Sequence, residues 1–119
     1  METRMLSKRR EAAQQVVNHL MATEAAIDLA LVRAAELFGS LPTARLHANI
    51  AAEVGHGAIE QMTETVVALV RARGQIVATH RELAETRDQI GLRTVSFGGL
   101  AEKAAARPSH LELVERTAA

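Results

Sequence analysis

The chain has 119 residues, no cysteine, and equal numbers of acidic and basic side chains, 14 of each. Disulfides, thiolate metal sites and cysteine nucleophiles are therefore excluded, and no global field recruits nucleic acid or an anionic membrane. Hydrophobic residues make up 48% of the sequence but aromatics only 2%, so the core must be aliphatic and alanine-rich, which suits close helix packing and predicts an all-α fold.

The first residues, Met1 to Gln15, carry positive charge without an apolar run of signal-peptide length, and the run from Ala25 to Val32 is broken by Asp28. The expectation is a chain that neither crosses nor spans a membrane, with the cytoplasm as its default compartment.

From Leu6 through Ala13, Val17, Leu20, Ile27, Leu31 and Ala34 to Phe38, apolar residues recur at three-and-four spacing. This predicts one long amphipathic helix over about 3–38, capped at Thr3 or Ser7. Gly39 and Pro42 read as its end and as a turn, with Pro42 or Thr43 opening the next helix.

A second stripe runs from Ile59 through Met62, Val66, Leu69, Arg73, Ile76, His80 and Leu83 to Ile90, predicting a helix over about 43–90 that stops at Gly91. At the standard rise this second helix is about 72 Å long and the first about 54 Å. The two form a long antiparallel hairpin, residues 1–91, followed by an irregular tail, 92–119.

With the turn at Gly39, Glu24 lies level with Gly57, and residues beyond His80 overhang the first helix. Leu83 and Ile90 then need cover, from a second copy or from the tail, where Val95, Phe97 and Leu100 alternate like a short extended piece. Further on, Ser109 and Glu112 have capping-box spacing for a short helix over 110–117 that would place Leu111 and Val114 on one face.

Both predicted helices carry a second apolar strip: Met21, Ala25, Leu29 and Val32 on the first, and Leu46, Ile50 and Val54 on the second. A lone hairpin cannot bury two faces of each helix. The expectation is a homodimer or larger assembly, in its simplest form a four-helix bundle, with an interface at Met21, Leu29, Val32, Leu46, Ile50, Val54, Leu83 and Ile90.

Three groups of residues bear on chemistry. Glu53, His56 and Glu60, with Glu24 from the first helix, have the Glu-x-x-His character of carboxylate-bridged metal bundles. Glu53, His56 and Glu60 nevertheless fall on the polar side of the helix wheel, between glycines that weaken the backbone, so the reading taken is a solvated face with no metal and no cofactor.

Arg73, His80 and Arg87 share one heptad position and read either as snorkelling side chains, with Glu11 and Glu2 level with the first two, or as a ladder that docks an acidic partner. Arg4, Lys8, Arg9 and Arg10 form a short basic run without aromatics for base stacking, and Glu2 and Glu11 flank it, which argues against nucleic-acid binding.

No serine has a visible histidine and acid arrangement, and Ser96 to Gly99 lacks the spacing of a phosphate loop. The reading is a non-enzymatic, self-associating interaction or assembly protein that docks a protein partner. Its alternatives are a dimeric metal-carboxylate bundle and a nucleic-acid accessory protein.

Overall fold

The structure, a computed structural model, describes residues 2–92, 95 and 96. It is all-helical among these residues: α1 spans Glu2–Ala48 and α2 spans His56–Gln89, packed as an antiparallel hairpin. The expected helix at 110–117, with Ser109, Leu111, Glu112 and Val114, lies outside the described residues, as do Phe97 and Leu100.

The two seams are those of the apolar spacing. On α1, Val17, Leu20 and Ala34 are buried, with Ala13, Ile27, Leu31 and Phe38 half-buried between them; on α2, His80 is buried and Ile59, Met62, Val66, Leu69, Ile76 and Leu83 are half-buried. A repeat of three and four keeps one side of a helix facing its mate over many turns.

The reversal is not where the sequence suggested. The first helix runs through Gly39 and Pro42 to Ala48, and neither Thr3 nor Ser7 caps it, since both lie within the helix. Proline removes the amide that would bond the carbonyl of Phe38 and crowds that carbonyl, which costs an exposed helix interior about 3 kcal/mol.

Two local features offset this. The hydroxyls of Ser40 and Thr43 donate to the carbonyls of Leu37 and Gly39 at 2.7 and 2.9 Å, on either side of the one proline disrupts. Leu41, Pro42 and Arg45 are also half-buried, so the seam continues for two more turns past Phe38.

The helix ends instead at Asn49, which has a positive φ of 54°. The amide of Ile50 bonds the carbonyl of Arg45 at 3.1 Å and that of Asn49 bonds Leu46 at 3.3 Å, a Schellman pair that satisfies two of the last carbonyls. Arg45 and His47 put positive charge in the final turn, where the helix dipole favours it. Gly55, at φ 81°, precedes α2.

The other end of the hairpin follows the expectation. Gly91, at φ 80°, is the left-handed residue, with Leu92 bonded to Arg87 at 2.9 Å and Gly91 to Asp88 at 3.2 Å. The same closure carries Leu92 into the core.

By internal contacts the chain divides into one unit of residues 1–18 and 78–119 and a second of residues 19–77. In the first, Leu92 is fully buried and clusters with Val17 and Val95, and Ala13, Leu83 and Ala84 pack against them. Leu83 is thus covered by the first helix as well as by residues after α2. In the second, Asp28 meets Arg73, and Ala35 and Phe38 share a groove with Thr63, Val66 and Val67.

These pairings set a different register from the one expected. Helix α1 is the longer, about 70 Å against about 51 Å for α2, and its first turn runs past the end of α2 rather than the reverse. Moving the turn from Gly39 to residues 49–55 adds about ten residues to the first helix and removes them from the second.

Replacing Pro42 with Ala should raise the thermal midpoint, because it restores a helix bond without removing a seam contact, with a gain of up to about 3 kcal/mol in unfolding free energy. A fall in midpoint, followed by circular dichroism, would show that the proline ring is needed in the seam.

Candidate functional site

The sequence placed its metal option on Glu24, Glu53, His56 and Glu60, and the fold does not assemble it. Glu53 stands in the connection before α2 and His56 is the first residue of that helix, where its Nε2 lies 3.2 Å from Glu60 Oε1 in an exposed pair one turn apart. Glu24 is half-buried on α1, one turn before Asp28, whose partner Arg73 is about 25 Å along α2 from His56. The corrected register therefore separates Glu24 from the other three, and no group of three or more acidic or histidine ligands occurs among the described residues.

The three residues of the proposed docking ladder all turn into their own chain. Arg73 Nε donates to Asp28 Oδ1 at 2.7 Å across the seam, with both side chains more than half exposed. That hydrogen bond, and then the carboxylate charge, raise the Arg73 pKa above the usual guanidinium value, with slight desolvation acting in the opposite direction. The group stays cationic at any relevant pH, so the pair is a geometric marker of register rather than a switch.

His80 is buried in the seam at 4% exposure. Arg87 lies against Asp88 at 3.1 Å, and its Nη1 donates to the carbonyl of Val95 at 2.9 Å, tying the segment after α2 back to the helix. The expected level partners Glu11 and Glu2 belong to the register with its turn at Gly39. Asp28 is what Arg73 meets, and its signal in the sequence was its position beside the seam residue Ile27.

Of the eight expected interface positions, seven are exposed: Met21, Leu29 and Val32 on α1, Leu46 in its last turns, Ile50 and Val54 in the connection, and Ile90 after α2. Leu46, Ile50 and Val54 are not one face of the second helix, because the Asn49 closure and Gly55 divide them between α1 and the connection. Leu83 is partly buried in its own chain.

Other exposed apolar residues were not singled out by the sequence. Val67 and Val70 lie on α2, three apart, with Gly74 one turn beyond Val70. They sit beside the main stripe rather than in it, so a search for one dominant period passes over them.

The basic run Arg4, Lys8, Arg9 and Arg10 is exposed on the first turns of α1. Arg9 also edges an open groove of about 260 Å³ formed with Val16, Leu83 and Ile90. No helix among the described residues is long and apolar enough to cross a membrane.

No family model, curated protein or solved structure matches the chain. What is on offer chemically is apolar surface and two weak ion pairs, His56 with Glu60 and Arg73 with Asp28.

Purified chain exposed to zinc or iron and then desalted should retain no stoichiometric metal by elemental analysis. One ion per chain, lost on His56→Ala, would overturn this and reinstate the carboxylate and histidine strip as a ligand set.

Proposed function

We propose that the protein is a small, non-enzymatic interaction or assembly protein that works as a self-associated helical bundle and presents that bundle to a protein partner. The cytoplasm is the compartment its cysteine-free sequence suits. One observation carries the reading: the hairpin leaves more large apolar side chains outside than it encloses.

Among the described residues, the buried hydrophobics are Val17, Leu20, Ala34, Leu92 and Val95, while thirteen large hydrophobics are exposed. Single exposed leucines or valines are ordinary in a monomer. Here they follow both helices and both sides of the turn, from Met5 and Leu6 to Val70 and Ile90. An apolar surface of that reach is characteristic of an interface.

A bare pair of helices supports the same reading from energetics. Each helix of a hairpin hides one strip, whereas a four-helix bundle hides a wider one and gains roughly 25 cal/mol for every Å² of apolar surface removed from water. The seam is narrow and its largest fully buried side chains are Leu92 and Val17. Association supplies the burial that the hairpin lacks.

Light scattering on the purified chain across a dilution series tests this. A mass of at least twice 12.8 kDa that persists on dilution is the expected result. A helical monomer at every concentration would remove the self-association and leave the apolar faces to a different protein.

A further inference from the structure

Resting on that reading, we infer that the second copy docks on one particular face, the side of the hairpin crossed by the Arg73–Asp28 pair. The two copies lie with their turns at the same end and their four charges in one ring. The face belongs to the unit of residues 19–77 and both helices build it. At 100° per residue, Val32, Ala35 and Gly39 fall to one side of the α1 seam, and Val67, Val70 and Gly74 fall to one side of the α2 seam. In an antiparallel pair these two sides are the same side of the hairpin.

The groove confirms the placement. Ala35, Phe38 and Gly39 line it with Thr63, Val66 and Val67, an open volume of about 330 Å³ between the helices. Val32 and Val70 are 52% and 56% exposed further along the same side.

The two glycines point the same way. Gly39 and Gly74 sit inside helices, where glycine costs about 1 kcal/mol relative to alanine. A methyl group at either would meet no atom within 4 Å, so the hairpin's own packing does not call for a glycine there. Small residues on an apolar face allow a facing helix to come close.

The charges select the occupant. Arg73 and Asp28 are 55% and 58% exposed on this side, Nε to Oδ1 at 2.7 Å, in the midst of apolar side chains. A guanidinium has five donors, more than one carboxylate oxygen can take.

Place a second copy over the face by a two-fold axis parallel to the helices. Each α1 then lies beside the α2 of both copies, every neighbour is antiparallel, and positions level in one hairpin stay level across the interface. The order around the bundle becomes Asp28, Arg73, Asp28 of the partner subunit, Arg73 of the partner subunit, with signs alternating. A two-fold axis perpendicular to the helices, which puts the turns at opposite ends, carries the partner's charges to another level.

The size of the face also suits a second copy. The stretch of α2 from His56 to Val77 is about 33 Å long. Across two helices about 10 Å wide each, it offers roughly 650 Å² per copy, or roughly 1,300 Å² in total, within the range of specific interfaces.

The test is the solution mass of the wild-type chain and of three variants, with circular dichroism confirming helicity. Asp28→Arg puts four positive charges in the ring and Arg73→Asp four negative. Each alone should raise the dimer dissociation constant by at least about a hundredfold, since facing like charges cost several kcal/mol. An equimolar mixture of the two should recover the dimer, as each positive hairpin meets a negative one.

Val70→Asp leaves the hairpin's own contacts untouched and should give a helical monomer. Variants that all stay dimeric beside a dimeric wild type would overturn this face and leave self-association standing. A mixture that stays monomeric while Val70→Asp dissociates would overturn the ring, and a monomeric wild type would overturn the proposed function as well.

Discussion

The passage of α1 through Pro42 governs the rest of the molecule. Where the first helix stops sets where the chain reverses, and the point of reversal sets which residue faces which along the whole hairpin. With the stop at Ala48, Asp28 faces Arg73 and Phe38 shares a groove with Val66. Had it stopped at Gly39, every pairing would shift by several turns. The proline survives inside the helix because Ser40 and Thr43 bond the neighbouring carbonyls and because Leu41 and Arg45 extend the seam beyond it.

The same displacement explains which features were legible in the sequence. The seams were, because three-and-four spacing reports the direction a side chain faces and does not depend on the partner's register. Val17, Leu20, Ala34 and His80 lie where the pattern put them. The stop at Gly91 was legible too, since a left-handed closure after the last stripe residue is satisfied by glycine at little cost.

Register was not legible, because two signals competed for one reversal. Gly39 with Pro42 is the stronger local break, and Asn49 followed by Gly55 is the weaker one that the chain uses. What favours the weaker site is the continuation of the α1 stripe through Leu41 to Arg45, which local turn chemistry outweighs on paper and tertiary burial outweighs in the fold. The carboxylate and histidine strip failed for the same reason: Glu53, His56 and Glu60 keep the spacing, and only Glu24 depended on the register.

The consequence for function lies in how little the hairpin encloses. A helix pair built from alanine, valine and leucine has few large side chains to fill a seam, so cohesion must come from area rather than from a few bulky anchors. Area on a helix is enlarged by covering further strips, which a third and fourth helix can do and a longer hairpin cannot. Arg73 and Asp28 fit the same logic. An exposed ion pair adds little cohesion in water, but on an apolar face it penalises a mate that brings no matching charges, and so selects register where alanine-rich surfaces would slide. An aliphatic seam and one charged level thus divide the work, the first supplying attraction and the second supplying alignment.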